Sequence, residues 1–410
     1  MGPVVLFDKS FLQSLSVDES VWFDHFFYPI ICPIFYVETL ADLEKAVGQG
    51  RTPEQEVGRI AEKTPERHGG PCAYHKALCL NSLHGSNIPM TGQIPIKSGR
   101  LVRTDEGESG VIVEETPEAQ ALSHWQKREF LKLERGLAKV WRTSLENLDL
   151  LAVAAAIRAM GIDEKKCKSI AEAKQISDMI IKTWKPQDII KLASIFFGFP
   201  WHYEKRILER WKQVGFPPLY IYAPYAAYVL TVELFSRIAL ESNLISTQRQ
   251  SNRADIAYLY YLPFCMLFVS SDKLHRRCTP LFLRSDQEFV WGEDLKGDLK
   301  KINDLYSKLP QSEKDKGIME FASTPPQEDS FLVSQLWDRH MRPWRQREPD
   351  SHKINPVVEK VLLEKMKREI ESRSLSPEEV DFDPKDADMM TIERKVRQRK
   401  GSWWQLPKDL

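Results

Sequence analysis

Two short apolar runs, far apart in the chain, limit what it can fold into. "VVLF" (residues 4–7) is closed by Asp8, and "FCMLFVSS" (residues 264–271) is closed by Asp272. A strand that is apolar at every position has both faces buried, which is the pattern of a parallel sheet covered by helices on each side. Open sheets of that kind place their ligands outside the carboxyl ends of the strands, so both aspartates are predicted at the edge where a site forms. Around the first run the grammar continues: a helix through "SFLQSL", a second strand at "IIC", and a helix with Pro33 in its first turn that runs to about Val47.

The intervening chain has two textures. Residues 49–118 are rich in Gly, Pro and polar side chains, and "GQIPIKSGRLV" with "SGVIVEE" predicts a loop or small hairpin flap. Residues 119–247 carry the 3.6-residue period in "HWQKREFLKLERGLAKVWR", "SLENLDLLAVAAAIRAM", "SIAEAKQISDMIIKTW", "PQDIIKLASIFFGF" and "HYEKRILERWKQV", which predicts a mainly helical insertion. The predicted architecture is therefore α/β, with a discontinuous parallel-sheet core from 1–48 and 248–310. A charged extension, 311–410, follows, with one helix at about 355–373 and a tail, "IERKVRQRKGSWWQLPKDL", read as a docking or disordered segment.

Charge narrows the function classes. Lys plus Arg number 58 and Asp plus Glu number 58, so no global field favours a polyanion, and nucleic-acid binding must use local patches. Six cysteines in 410 residues suit a reducing, cytoplasmic setting better than a disulfide scaffold, and the N-terminal residues show no secretory pattern. The runs "LYIYAPYAAYVLTV" and "FFYPIICPIFYV" are too short and too proline-broken to span a membrane, so they are predicted as core.

Four acids share one pattern. Asp8 and Asp272 end strands, Glu38 lies about a turn into the helix that Pro33 starts, and Asp255 lies in the first turn of "SNRADIAYLYYL", capped by Ser251 or Asn252. In "VVLFDKSFLQSL", "PIFYVETLADL" and "ADIAYLYYLPFCMLFVSSDKL" this pattern resembles the PIN-domain ribonuclease family. The resemblance covers a minority of the chain, and the stretch between the second and third acids is far longer than compact members use. It implies a PIN-like nuclease core in which Asp8, Glu38, Asp255 and Asp272 are catalytic metal ligands for Mg²⁺ or Mn²⁺. Ser271 would be a supporting hydroxyl, and RNA the substrate. Clustered carboxylates suit hard cations, and such cations activate water for attack on a phosphodiester. Asp42, one turn after Glu38 on the same face, competes for the second position, and Arg276 and Arg277 are placed to meet phosphate. A toxin or defence enzyme restrained by a regulatory partner, a homo-oligomer, or a catalytically inactive scaffold in a larger assembly are the related expectations.

Each acid also has an ordinary structural role. Asp8 can cap "SFLQSL", Asp272 can cap "KLHRR", and Asp255 can serve only a helix dipole. Other candidates compete as well. Cys72, His75, Cys79 and His84 are zinc-compatible types, although their spacing matches no strong finger pattern. Lys127, Arg128, Lys132, Arg135, Lys139 and Arg142 interleave with Trp125, Phe130 and Trp141 as a backbone-gripping face or a plain amphipathic helix. Lys205, Arg206, Arg210 and Lys212 near Trp201 and Trp211 read the same way. Trp337 to His340 lack a paired nucleophile and suit packing, and Trp403 with Trp404 would anchor the tail on a partner or on the protein's own body.

Overall fold

The computed structural model describes residues 2–44, 50–67, 69–95, 99–146, 167–246, 252–345, 356–376 and 378–409. Among them the strands are β1 (Val4–Phe7), β2 (Tyr28–Ile31), β3 (Gly70–Pro71), β4 (Arg100–Arg103), β5 (Ser109–Val113), β6 (Leu267–Ser270), β7 (Glu288–Trp291), β8 (Met389–Ile392), β9 (Arg399–Lys400) and β10 (Trp403–Trp404). The main sheet has five parallel strands in the order β3-β2-β1-β6-β7, with Leu6 of β1 level with Ile30 of β2 and with Phe268 of β6. Both apolar runs are central strands, and Val5, Leu6, Phe7, Leu267, Phe268 and Val269 are fully buried. The chain leaves β1 toward β2 and β3, then crosses back to add β6 and β7 on the other side. The order reverses between β1 and β6, and the carboxyl ends of strands at such a reversal are where open α/β sheets place their ligands.

Local chemistry sets the helices on this sheet. Asp8 caps Lys9–Ser14, Ser16 and Glu19 form a capping box for Val17–Phe26, and Pro33 occupies the first turn of Pro33–Ala41. Phe7 meets Phe23 and Phe35 edge-on at 5.6 and 5.3 Å, which locks two of these helices onto β1.

The segment expected as a flap does more than shield. It contains the predicted hairpin, β4 against β5, but it also supplies β3 to the edge of the main sheet and the helices Pro53–Glu62 and His75–Leu83 to the core. Of the predicted insertion helices, Ile170–Thr183, Pro186–Phe197 and Trp201–Gln213 are present; the first two pack on the buried helix Pro224–Glu241, and the third packs on Pro186–Phe197. "SLENLDLLAVAAAIRAM" lies mostly outside the described residues. The stretch read as one basic helix is two, Pro117–Gln126 and Lys132–Glu146, because Arg128 turns left-handed at φ 63°. Trp125 faces the core, stacked on Tyr36 at 5.0 Å, and is therefore no platform for bases. Arg135 pairs with Glu54, and the side chains of Trp141 and Arg142 lie outside the described residues. No described helix is long and apolar enough to cross a membrane.

The extension folds back onto the core. Its helix Pro356–Glu371 matches the expectation, and β8 adds in parallel to β5. The tail clasps the protein's own body: Trp403 packs edge-on to Trp22 at 4.8 Å, and both indoles donate to Asn303 Oδ1, at 2.8 and 3.1 Å. Arg397 forks onto Glu66, and Lys400, 1% exposed, donates to the Thr64 carbonyl at 2.8 Å. Trp337 donates to the Phe26 carbonyl, while Arg339 and His340 hold Glu288, which settles that group as structural.

Candidate functional site

All four predicted acids come together at the carboxyl ends of β1 and β6. β1 delivers Asp8, β6 followed by Ser271 delivers Asp272, Pro33–Ala41 carries Glu38, and the helix Asn252–Tyr258 carries Asp255. Ser251, one of its two expected caps, lies outside the described residues. The four carboxylates are coupled: burial pushes the Asp255 carboxyl up to about 7, and the charges of Glu38, Asp272 and Asp8 add to the rise against the opposing pull of His275.

Asp8 is closed in. Its Oδ1 accepts from the Phe11 N–H at 2.8 Å, and its Oδ2 accepts from the hydroxyls of Ser10 and Ser270, each at 2.7 Å. His275 Nδ1 lies 3.3 Å from the same oxygen and 2.7 Å from Ser270 Oγ. The bonding fixes the charge of that ring. Nε2 faces the Asp255 carbonyl at 2.6 Å, and a carbonyl only accepts, so Nε2 is protonated. Ser270 Oγ accepts from the Asp272 N–H at 2.9 Å and sends its one proton to Asp8, so Nδ1 must donate as well. The ring is an imidazolium. Burial alone would depress its pKa, but Asp8 and Asp255 outweigh that and raise it to about 9. Burial likewise pushes Asp8 upward, and the bonds from His275, Ser270 and Phe11 bring it below the ordinary aspartate value.

Glu38 is half open, at 23% side-chain exposure, and shares Lys9 with Asp42. The Lys9 side chain is 8% exposed, and its ammonium lies 2.8 Å from Asp42 Oδ2 and 3.4 Å from Glu38 Oε1. The Tyr258 hydroxyl donates to Glu38 Oε2 at 2.8 Å and accepts from the Lys9 backbone N–H at 3.3 Å. Asp272 uses Oδ1 to cap Lys273–Cys278 through the Leu274 N–H. The capping roles foreseen for Asp8 and Asp272 are thus both present, alongside their convergence.

The acids divide into a closed half, Asp8 with His275 and Glu38 with Asp42 and Lys9, and an open half, Asp255 with Asp272. Among the described residues no donor reaches the Asp255 carboxylate. No group of three or more His, Cys, Asp or Glu side chains among them is placed as a metal cage. Mg²⁺ does not need one, because it keeps most of its waters and takes one or two carboxylates besides substrate phosphate. Asp255 and Asp272 fit that demand. Asp8 Oδ2 is taken up by Ser10, Ser270 and His275, while its Oδ1 accepts only the Phe11 N–H and keeps a lone pair for the ligand role that the resemblance implied. Next to Asp272, the Ser271 hydroxyl is buried with no partner among the described residues and lies where a Cβ on Gly292 would collide with it.

Arg276 lies over the Trp291 ring at 5.1 Å, at the end of β7, while Arg277 turns to the Leu244 carbonyl. Cys72, His75, Cys79 and His84 do not gather: His75 is buried against the Tyr261 hydroxyl, Cys79 is core, and His84 packs on Tyr203. All six cysteines are buried and unpaired. Sequence reading missed Lys9, Tyr258, Ser270 and His275. The available signals were Lys9 directly after Asp8, and a histidine one turn past Asp272. Comparison with family models, curated proteins and solved structures finds no match to this chain.

Proposed function

We propose that this chain is a divalent-metal-dependent nuclease with a PIN-like site, cutting phosphodiester bonds, with RNA as the first substrate to test. The observation that supports this reading is the Asp255 carboxylate beside Asp272 at the strand-order reversal, which no donor among the described residues bonds and which burial and its acidic neighbours raise to about 7 against the pull of His275. Asp255 and Asp272 would hold one Mg²⁺ or Mn²⁺, which when bound supplies an activated water and neutralises charge at the phosphate. Asp8 is assigned to orienting His275, which in turn holds the Asp255 backbone carbonyl. Glu38 is assigned to the rim through Tyr258, and Arg276, braced on Trp291, to receiving a phosphate. The test is cleavage of labelled single-stranded RNA, structured RNA and DNA with Mn²⁺ or Mg²⁺, beside Asp255→Asn, Asp272→Asn and an EDTA control. Cutting by wild type alone supports the assignment, and equal cutting by the variants removes it.

A specific observation favours a second reading. Lys9 and His275 already neutralise much of the acidic cluster from within, as expected of a PIN-like scaffold without catalysis. Helix Lys132–Glu146 then becomes the relevant surface, since it presents Leu133 and Val140 at 70% and 63% exposure to a protein partner or a second copy. Silence on every substrate, in all preparations and with both metals, selects this reading.

A further inference from the structure

The Lys9 ammonium has three protons, and the structure gives each of them an acceptor inside the carboxylate cluster. Asp42 Oδ2 lies at 2.8 Å, Glu38 Oε1 at 3.4 Å and the Glu38 backbone carbonyl at 3.4 Å. Glu38 and Asp42 stand one turn apart on one face, so their carboxylates form a natural cleft for a cation, and that cleft is filled by the side chain that follows Asp8. A buried amine in a polar crevice would ordinarily be driven toward neutrality. Here the two carboxylates outweigh burial and hold its pKa above the usual lysine value, so the charge stays.

We propose that Lys9 is a resident counter-ion that occupies the Glu38–Asp42 half of the site, so that the protein binds one divalent cation, at Asp255 and Asp272, and excludes a second. This rests on the metal-dependent reading above and narrows it. A dication entering beside Glu38 would have to displace an ammonium whose acceptors among the described residues are all on Glu38 and Asp42, and it would meet that ammonium's charge on approach. Removing the charge while keeping the apolar stem leaves two adjacent carboxylates uncompensated, which is the arrangement that recruits a hard cation.

The experiment measures Mn²⁺ stoichiometry by equilibrium dialysis and calorimetry on the full chain, in wild type, Lys9→Met, Lys9→Gln and Asp255→Asn, with melting temperature recorded with and without Mn²⁺. The expected result is one Mn²⁺ for wild type, two for either Lys9 variant and none for Asp255→Asn. Either Lys9 variant should also melt below wild type in EDTA and gain more from Mn²⁺ than wild type does. Two ions bound by wild type, or equal stoichiometry with and without Lys9, overturns the inference. Wild type binding none while Lys9→Met binds one keeps Lys9 as the counter-ion and overturns the metal-dependent reading instead. If both Lys9 variants fail to fold with Mn²⁺ as well as without it, the residue is structural and the inference is lost.

Discussion

Asp255→Asn should stabilise this protein in alkaline buffer and do progressively less as the buffer is acidified. The folded protein holds the Asp255 carboxyl near 7 against 3.8 for an unperturbed aspartate, with burial the largest cause. A carboxyl whose pKa is raised by folding favours the native state most below its unfolded pKa, and that support is lost as pH climbs to the folded value. Above about pH 8 the full difference applies, a ceiling of about 4 kcal/mol from the linkage relation. At pH 5 roughly 1.5 kcal/mol of it is present. Asparagine is close in shape to the protonated acid, so the gap between variant and wild type should widen by about 3 kcal/mol between pH 5 and pH 8.5. One effect reduces this: the Asp255 charge also supports the His275 imidazolium, so its removal weakens the Asp8–His275 pair. Thermal melts in EDTA at the two pH values are the assay, with a difference of a few degrees that grows with pH. A pH-independent difference, or a variant that melts lower at pH 8.5, would refute the claim that folding raises the Asp255 carboxyl.

Three further perturbations test other parts of the structure. His275→Gln leaves Asp8 buried beside two hydroxyls with no cation and should cost about 3–5 kcal/mol; because folding raises the His275 pKa, the gap between wild type and variant in denaturant titrations should close as pH rises from 6.5 through about 9. Tyr258→Phe removes the donor to Glu38 and should cost about 1 kcal/mol by the same titrations, with Glu38→Gln made in that background adding less than it does in wild type. Trp403→Ala strips the tail from Trp22 and Asn303 and should cost about 3–5 kcal/mol if the tail unfolds with the core. Limited proteolysis should then cut the tail before the core, and a tail equally resistant in both proteins would refute the clasp.

The parts of this fold that the sequence displays are those encoded within a few adjacent residues. β1 and β6 were legible because a strand buried on both faces must be apolar throughout, and the helix after β2 because proline is tolerated only in a first turn. β3 was not legible: two residues, Gly70 and Pro71, form the edge, and no periodicity exists over two positions. The break at Arg128 was hidden because a left-handed residue that is neither glycine nor asparagine leaves no compositional mark, so the apolar stripe appeared continuous across two helices. The tail was ambiguous because a tryptophan pair flanked by basic residues docks equally well on any acidic, aromatic surface. Only the fold brings Trp22, Asn303 and Glu66 to one place.

The same distinction governs the site. An acid at a strand end advertises itself, since its position depends on the strand alone, and all four predicted acids do come together at the carboxyl ends of β1 and β6. Their counter-ions cannot be read that way. Lys9 could point to solvent from the first turn of its helix, and it enters the cluster because Glu38 and Asp42 approach from a helix three elements on and the turn that follows it. His275 could be any surface histidine, and it becomes an imidazolium because Asn252–Tyr258 brings a backbone carbonyl to one nitrogen while Ser270 and Asp8 take the other. Acids alone therefore imply a site that requires metal at every position. Acids with their cations divide it into a half neutralised by the protein and a half, Asp255 and Asp272, whose charge is left for something else to meet. That asymmetry makes Asp255 and Lys9 the residues whose substitution tests the proposed metal-dependent reading against the scaffold reading.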